Sequence, residues 1–562
     1  MVLSDLCIGP GQALGQSIQA EGDQTDVVRG TVVNSVTHEP IGRALVFSSD
    51  NRFATMTDGQ GRFEFILPPA KTEKGSHSEL GNPEFPSMNR PQTLAARKPG
   101  FLTDSNESWQ NLQVETIGKE ITISLMPEAL IAGRIVLPNS EAPLGMRVEL
   151  YRKQISEGSV HWISAGVSAT NSGDFRMAEL APGTYKLLTH ELLDRDPETS
   201  LPGGQQYGYP PAYYPGAADF AAASPIELSA GKTFQADFSV ARQAYYPIKL
   251  PVSNAPVGVP IDVRVFVHGQ KGPGYSLGYN QADQVIEGLL PNGAYTVEAA
   301  SHGPNAVSGV VSISVKGAGA VGPGMVLVRN SSISINVKEE FTSRGQTNSG
   351  AITLARGNLH PGRQLNLALE PADDFGGGWG ASLRPQVKPD DKPLVIESVQ
   401  PGRYWVKVYP FRGFASSVSL GGINLLQEPL VVGPGGFSSP MEVVLRDDSA
   451  QIEGKVEGGH AARSGTGGPE SLPRSAMLAY IYCVPLPDSS GQFTQVGVSP
   501  DGEFSSPEIP PGAYRILAFK HPQPELEYKN PEAMRVFEAR GPVVHLIPGQ
   551  KEHLQLQVIS NE

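Results

Sequence analysis

Cysteine is nearly absent from this chain of 562 residues, which contains only Cys7 and Cys483. Because the two lie so far apart in sequence, they give no disulfide framework, and we expect two isolated thiols and folding by packing alone. Lysine and arginine form no long run, and the formal net charge is -13. This acidic balance disfavours binding to nucleic acid or to an anionic membrane surface.

Long hydrophobic runs are also missing, because no segment approaches the roughly 18 apolar residues that a transmembrane helix needs. Residues 1–26 form an N-terminal tail without the basic start and long apolar stretch of a secretory signal. Residues 13–20 (ALGQSIQA) nevertheless resemble the tail of a signal peptide, or the region just after one. Either the start codon is misassigned and a signal peptide is missing, or the protein stays inside the cell. On the architecture described below, we favour a secreted or cell-envelope protein, periplasmic or at the outer surface.

Helical patterns are scarce, and the best candidate is residues 530–541, with an asparagine cap, a proline at the first position and a glycine beyond the end. The dominant pattern is instead a proline–glycine turn that leads into a tyrosine. It occurs at residues 180–185 (LAPGTY), 290–295 (LPNGAY), 399–404 (VQPGRY) and 509–514 (IPPGAY).

The glycines of these four turns stand at positions 183, 293, 402 and 512, so they are 110, 109 and 110 residues apart. A degenerate copy lies one step earlier, at residues 66–70 (ILPPA). A constant period of this length indicates a tandem array of one small domain. Proline presets φ in such turns, and we expect each glycine to take a positive φ or an equally alanine-intolerant conformation.

Two further patterns recur in repeats one, two and five. Each repeat opens with an alternating V-x-G-x-V strand, at residues 28–33, 131–136 and 452–456. An acidic–glycine hairpin before a phenylalanine follows, at residues 58–63, 171–175 and 500–504. Short alternating strands separated by turns are typical of an antiparallel sandwich.

We therefore predict an all-β fold, a tandem array of about five antiparallel β-sandwich domains. After the tail, repeats one to five are expected at residues 27–127, 128–242, 243–330, 331–448 and 449–562, of which the third and fourth are divergent. The linkers between them are short, which favours semi-rigid stacking into an elongated rod.

Together these patterns resemble the carboxypeptidase regulatory-like domain as it occurs in tandem-repeat proteins of bacteria. The match is good in repeats one, two and five and partial in repeats three and four. The resemblance implies a transthyretin-like (prealbumin-like) or Ig-like β-sandwich, which is classed near the starch-binding-like folds. Because the shared motifs specify turns and strands, it implies no catalytic residue and no cofactor.

Motifs for catalysis or metal binding are weak. No pair of histidines has zinc-peptidase spacing, since His190-Glu191 is not followed by a second histidine. Residues 274–278 (GYSLG) match the serine-hydrolase pattern around Ser276, but in a glycine-rich hairpin rather than between a strand and a helix. Paired aspartates such as Asp373-Asp374 lack the spacing of a calcium loop. We expect no enzyme, no cofactor and no metal.

The candidate ligand-binding residues are aromatic. Residues 207–214 (YGYPPAYY) contain Tyr207, Tyr209, Tyr213 and Tyr214, and glycines surround Trp379. Exposed rings of this kind suit sugars and protein interfaces, although the same rings are equally suited to pack against their own sandwich.

From these features we expect a non-catalytic exported bacterial protein for adhesion or cell-envelope scaffolding. The alternative is a carbohydrate-binding array that uses the exposed aromatic residues. A polysaccharide or envelope proteins are the expected partners, and a hydrolase centred on Ser276 is the remote third option.

Overall fold

The computed structural model describes residues 26–67, 93–102, 109–111, 120–137, 145–170, 172–194, 204–303, 305–321, 323–342, 365–375, 380–384, 394–457, 479–487, 489–499 and 501–559. The N-terminal tail, Cys7 and Trp379 lie outside these residues. The part that is described is all-β, with 44 strands and one short α-helix.

Strands of the first repeat form two sheets that enclose one core. The strands are β1 (Asp26–Asn34), β2 (Leu45–Ser48), β3 (Ala54–Met56), β4 (Arg62–Leu67), β5 (Thr93–Arg97), β6 (Phe101–Leu102), β7 (Trp109–Asn111) and β8 (Glu120–Pro127). Their orders are β4-β1-β8-β6 and β3-β2-β5-β7. Alternate residues such as Val28, Val32 and Val46 are fully buried between the sheets, as the period-2 pattern predicts.

The second repeat has a four-stranded sheet, β11-β10-β13-β16, and a smaller one, β12-β9-β17. Its strands are β9 (Ala129–Val136), β10 (Arg147–Ser156), β11 (Ser159–Ala169), β12 (Asp174–Leu180), β13 (Gly183–Thr189), β14 (Leu192–Leu193), β15 (Gln206–Tyr209), β16 (Ile226–Leu228), β17 (Thr233–Gln235) and β18 (Phe238–Ser239).

The third repeat is built on the long strand β19, which pairs with β15 of the second repeat as well as with β23 of its own. Its strands are β19 (Gln243–Ser253), β20 (Asp262–Val267), β21 (Gln270–Tyr275), β22 (Gly278–Asn280), β23 (Val285–Pro291), β24 (Gly293–Ala300), β25 (Val307–Val315), β26 (Ala320–Val321), β27 (Met325–Val326) and β28 (Val328–Arg329). The opposite sheet has the order β21-β20-β24-β25-β28.

The last two repeats have the same two-sheet arrangement, each around its own buried core. The fourth contains β29 (Ser331–Glu340), β30 (Leu365–Pro371), β31 (Ala381–Ser382), β32 (Leu394–Val399), β33 (Gly402–Pro410), β34 (Phe414–Leu420), β35 (Ile423–Asn424), β36 (Leu430–Val432) and β37 (Met441–Arg446). The fifth contains β38 (Ala450–Glu457), β39 (Ala479–Pro485), β40 (Thr494–Val498), β41 (Glu503–Ile509), β42 (Gly512–Phe519), β43 (Val543–Leu546) and β44 (Lys551–Gln557).

The opening strand of every sandwich makes at least one parallel pairing, including β9 with β18, and β19 with β26 and β27. The opening strand pairs with the closing strand as β1 with β8, β29 with β37 and β38 with β44. The glycine of the V-x-G-x-V pattern lies at this pairing. A Cβ on Gly30 would lie 2.3 Å from the Ile121 carbonyl oxygen, and one on Gly454 would lie 1.8 Å from that of Leu554. The pattern therefore recurs because the closing strand approaches too closely for any side chain.

The tyrosine of the proline–glycine turn is buried in all four copies, and in repeats three to five it binds its own turn. Tyr295 donates from its hydroxyl to the Pro291 carbonyl at 3.0 Å, and Tyr404 donates to the Gln400 carbonyl at 2.9 Å. Tyr514 makes the same bond to the carbonyl of Pro510. Each ring thus reaches back four residues and ties the start of its strand to the turn before it, as in the tyrosine corner of immunoglobulin-like domains.

The glycines of these turns fall into two groups. Gly183 and Gly402 have the expected positive φ, 152° and 159°, whereas Gly293 and Gly512 do not have a positive φ. At Gly293 alanine is excluded by space, because its Cβ would lie 2.8 Å from the Tyr295 hydroxyl. Gly512 is required for space as well, because its Cβ would lie 2.5 Å from the backbone nitrogen of Gly491.

The predicted helix near residue 530 is present but short. It spans α1 (Pro531–Met534) and continues as a 3-10 turn over Arg535–Phe537. The Asn530 side chain caps it by accepting a hydrogen bond from the backbone of Glu532 at 3.1 Å, as the asparagine–proline pattern predicts. Among the described residues, no helix is long and apolar enough to cross a membrane.

The chain divides into two compact units. The first contains the described parts of Met1–Ile131 together with Met177–Pro182 and Leu228–Phe234, and the second contains Ala132–Arg176, Gly183–Glu227 and Gln235–Glu562. Within the second unit, repeat two contacts repeats four and five. The backbone nitrogen of Trp162 donates to the Asp374 carbonyl at 2.8 Å, and the Tyr528 hydroxyl lies 3.2 Å from the Glu157 carboxylate. Serial stacking into a rod is therefore wrong for this unit.

We predict that Tyr404→Phe lowers the free energy of unfolding of the fourth repeat by about 1 kcal/mol, because it leaves the Gln400 carbonyl without its donor. Tyr409→Phe is the control, since that ring is 43% exposed. Hydrogen exchange of the β33 amides measures the local stability, and equal exchange in the two variants would contradict the role of the bond.

We predict that Gly512→Ala destabilises the fifth repeat by about 1–3 kcal/mol, the usual cost of forcing an atom into a packed site. Gly435→Ala is the control, because no atom lies within 4 Å of its Cβ position. Thermal melting of the two variants provides the comparison. A Gly512→Ala protein that melts with the wild type would show that the contact with Gly491 relaxes freely.

Candidate functional site

No catalytic centre is built from the motifs found in the sequence. The described residues contain no group of three or more His, Cys, Asp or Glu side chains that could hold a metal ion. Ser276 lies between the strands β21 and β22 and not between a strand and a helix, so the serine-hydrolase geometry is missing at this position. Cys483 is a free buried thiol, and burial raises its pKa to about 12.

The tyrosine-rich segment is less exposed than a sugar platform requires. Tyr213 is 3% exposed and donates to the Pro273 carbonyl at 2.7 Å, so its ring belongs to the packing and not to a surface. Tyr207 and Tyr209 are half-buried in β15, and the Arg242 guanidinium lies 4.3 Å from the centre of the Tyr207 ring. Tyr214 is half-buried. Tyr207, Tyr209 and Tyr214 remain candidate ligand contacts.

A larger site lies within the second unit, where repeats two, four and five meet. It is a cavity of about 660 Å³. We call this cavity the three-repeat cleft, and its aromatic and charged lining residues are Glu157, Trp405, Lys407, Tyr409, Glu428, Phe493, Arg515, Tyr528, Lys529 and Glu538. Its volume is in the range of small-molecule sites, which is about 300–1,000 Å³.

Repeat two contributes the tip of the β10–β11 hairpin. Ser156 pairs with Ser159, so the turn contains only Glu157 and Gly158. Both residues have positive φ, 51° and 74°, as a two-residue hairpin of this type requires. The strand β13 pairs with β10 only from Val148 to Arg152, so the end of the hairpin extends beyond its own sheet. This extension places Glu157 in the cleft.

Repeat four contributes one face of β33, the strand that begins at the Pro-Gly-x-Tyr turn. Tyr404 and Val406 are buried in the sandwich core. Because side chains alternate along a strand, Trp405 and Lys407 project from the opposite face into the cleft. The Lys407 ammonium forms an ion pair with the Glu157 carboxylate at 2.8 Å.

Repeat five contributes Tyr528 and Lys529 from the segment before α1. The Tyr528 ring is stacked on Phe493, with centroids 3.8 Å apart and planes 3° from parallel. Gly158 packs against Tyr528 so closely that a Cβ there would lie 2.7 Å from the Tyr528 Cδ1 atom. The stack therefore closes the hairpin tip against repeat five, and Trp405 is a further aromatic group of the cleft.

The two lysines of the cleft differ in whether a carboxylate neutralises them. The hydrogen bond from Lys407 holds the pKa of Glu157 below its ordinary value. The Lys529 ammonium lies 4.0 Å from the centre of the Trp405 ring, and it makes no ion pair with a carboxylate among the described residues. Burial, assisted by the neighbouring Lys407, lowers the pKa of Lys529 to about 8. At neutral pH this half-buried ammonium is therefore mostly charged.

These residues did not emerge from the sequence motifs. The Glu157-Gly158 pair between two alternating segments does indicate a β-hairpin. The W-x-K sequence after the turn at residues 399–404 places Trp405 and Lys407 on one face of a strand. No sequence signal links them to Tyr528 and Lys529, because more than a hundred residues separate the segments and only tertiary packing joins them.

A second buried carboxyl lies where repeats two and three meet. Glu191 lies beside the hydroxyl of Tyr245, a tyrosine of β19 that is 1% exposed. Burial raises the pKa of Glu191 to about 7. The neighbouring His190 binds Glu149, with 2.8 Å between Nε2 and Oε2, so the His190-Glu191 pair forms packing and not a metal site.

Comparison with known proteins does not assign this chain to a family. No protein-family model matches the chain, and no curated protein matches its sequence. Solved structures that align with it include a minor pilin of Streptococcus agalactiae, at 13% identity over 41% of this chain and 99% of the pilin, with a TM-score of 0.18. The shaft pilin SpaA of Lactobacillus rhamnosus GG aligns at 12% identity over 39% of this chain and 97% of the pilin, with a TM-score of 0.17.

A streptococcal ancillary pilin aligns at 10% identity over 53% of this chain and 99% of the pilin, with a TM-score of 0.17. These scores are too low to carry an argument about fold or function. The β-sandwich assignment rests on the chain's own sheets and cores, and the carboxypeptidase regulatory-like resemblance stays a prediction.

We predict that stability falls as pH rises from about 4.5 to 7, because the folded state keeps Glu191 protonated and the unfolded chain does not. The contribution is full below pH 4.5 and lost above 7, and amounts to at most about 3 kcal/mol. Glu191→Gln should remove this part of the dependence, as followed by urea unfolding between pH 4 and 8.

Glu339→Gln, at an exposed position, is the matched control and should retain the wild-type pH dependence. If Glu191→Gln retains it as well, then Glu191 is not the group that titrates.

Proposed function

We propose that this chain is a non-catalytic, exported bacterial protein of tandem β-sandwich domains that serves in adhesion or as a scaffold of the cell envelope. The observation that carries this proposal is the insertion of the Glu157-Gly158 hairpin tip between repeats four and five. A protein that must present loops at fixed separations needs domains that do not rotate freely, and such contacts restrict rotation.

The contacts at the hairpin tip are both polar and apolar. Lys407 and Tyr528 both bind the Glu157 carboxylate, at 2.8 Å and 3.2 Å. Lys153, four residues before Glu157, forms an ion pair with Glu527 of repeat five. The stacked Tyr528 and Phe493 rings supply the apolar part. Both ion pairs are partly buried, so the cost of removing their charges from water offsets much of the attraction, and the packing of Gly158 against Tyr528 is the main term.

A second function, carbohydrate binding, is favoured by the three-repeat cleft itself. The cleft combines an indole, further aromatic rings and several polar side chains in a cavity of about 660 Å³. Aromatic rings with polar groups around them suit the apolar faces and hydroxyl groups of sugars. The half-buried rings of Tyr207, Tyr209 and Tyr214 would be additional contacts of this kind.

The cellular location of the protein and the effect of deleting its gene test the adhesion and scaffold proposal. In intact cells of the source bacterium, external protease or antibody should reach the protein, or it should be released with the periplasmic or outer-membrane fraction. Deletion of its gene should reduce surface attachment or alter envelope integrity, and restoring the full-length gene should reverse this. Retention in the cytoplasmic fraction would overturn the proposal.

We predict that Gly158→Ala destabilises the contact between repeats two and five, because the new methyl group collides with the Tyr528 ring. Gly145→Ala is the matched control. Gly145 has φ of 79°, close to the 74° of Gly158, but no atom lies within 4 Å of its Cβ position. Alanine at a positive φ destabilises both variants to the same extent. The collision should therefore lower the free energy of unfolding of Gly158→Ala by about 1–3 kcal/mol more than that of Gly145→Ala.

Hydrogen exchange of residues 520–530 should accelerate in Gly158→Ala and stay unchanged in Gly145→Ala. Equal exchange in the two variants would show that the hairpin tip does not hold repeat five.

A further inference from the structure

Lys529 is a half-buried charge of the three-repeat cleft that forms no ion pair with a carboxylate of the described residues. Its ammonium lies over Trp405 and has Lys407 as a close cationic neighbour. Lys407 forms an ion pair with Glu157, whereas Glu157 and Glu370 only partly offset the burial of Lys529. Burying a cation without a partner is costly, so the site is complementary to an anionic group placed beside the indole.

Two glutamine side chains, Gln427 and Gln492, also line the cleft. The side-chain amides of Gln427 and Gln492 each donate to a backbone carbonyl, of Ser489 and Ala415 respectively, both at 2.6 Å. These bonds fix the two amides, and no hydrogen bond to either Oε1 atom occurs in the described part of the chain. Fixed carbonyl oxygens are acceptors for hydroxyl groups.

The backbone of the cleft does not decide between a peptide and a sugar. Strand β33 is paired with β30 along Trp405 and Lys407, but with β36 only over Gly402–Tyr404. A peptide that adds a strand at this edge is therefore the competing ligand, and an acidic peptide is included in the test below. The side chains favour a sugar, because they offer an indole, an ammonium and fixed amide oxygens.

We propose that the three-repeat cleft binds an acidic oligosaccharide, with Lys529 receiving the carboxylate of a uronic-acid ring and Trp405 lying against a sugar ring. The Oε1 atoms of Gln427 and Gln492 accept hydrogen bonds from its hydroxyl groups. This inference rests on the carbohydrate-binding function proposed above and names its ligand class.

The affinity depends on pH through the same ammonium. The charged and titratable groups around Lys529 are Lys407 and Glu370 of repeat four, Glu157 and His161 of repeat two, and Tyr528 of its own segment. Because the pKa of Lys529 is about 8, the free cleft loses its cation as pH rises through that value. A bound carboxylate favours the charged form, so binding weakens between pH 7 and 9.

The test is calorimetric titration of the full chain with trigalacturonate, which carries one carboxylate on each ring, and with the neutral trisaccharide of galactose. Trigalacturonate should bind, and the neutral trisaccharide should bind roughly tenfold more weakly or worse, the usual effect of losing a hydrogen bond to a charged group. Lys529→Met should weaken the binding of trigalacturonate by a similar factor.

Lys520→Met is the matched control, because Lys520 is exposed, belongs to the same repeat and does not line the cleft. It should bind trigalacturonate as the wild type does. The melting temperature of each variant shows whether it is folded. The pH dependence of the wild type needs no variant, and affinity that stays constant from pH 7 to 9 would overturn the assignment to Lys529.

The outcomes separate the inference from the function on which it rests. Equal binding of the acidic and neutral trisaccharides, lost in Trp405→Ala, would overturn the acidic ligand and keep carbohydrate binding. No binding of either sugar would overturn both. Binding of an acidic peptide such as triglutamate in place of trigalacturonate would overturn the sugar ligand.

Discussion

The hydrogen bond from a buried tyrosine to the carbonyl four residues earlier is the contact on which the rest of the architecture depends. It ties β24, β33 and β42 to the turns before them and so sets which residues of each strand face the core. Because a shift by one residue would exchange the two faces, the position of Tyr404 also decides that Trp405 and Lys407 face outward. The candidate site is therefore a consequence of the same turn that builds the core.

The parallel pairing of opening and closing strands is the second constraint. Gly30 and Gly454 allow the closing strand's carbonyl to lie where a side chain would be. The phenylalanine of the acidic–glycine hairpin pairs with the same glycine, as Phe63 does with Gly30. The same sandwich is thus stabilised by residues from three sequence patterns: the opening glycine, the hairpin phenylalanine and the turn tyrosine.

The three-repeat cleft combines two physical demands that oppose each other. Packing of Gly158 and Tyr528 brings the repeats together, but it also takes the Lys529 ammonium partly out of water and lowers its pKa. A site shaped only for stability would neutralise that charge with a carboxylate, as it does for Lys407 with Glu157. This uncompensated charge is the feature on which the proposed ligand site rests.

The sequence by itself determined the all-β class, the turn positions, the capped helix at Asn530 and the buried alternation, because these depend on contacts within a few residues or on one period. It left open whether each turn glycine is needed for φ or excludes alanine in another way, and the structure shows that space is the reason at Gly293 and Gly512. It also offered Tyr213 as a surface ring, although the Tyr213 hydroxyl binds Pro273 of another repeat. Only the tertiary structure brought Glu157, Trp405 and Lys529 into one cleft. Their segments are more than a hundred residues apart, and contacts between domains produce no repeated pattern in the sequence.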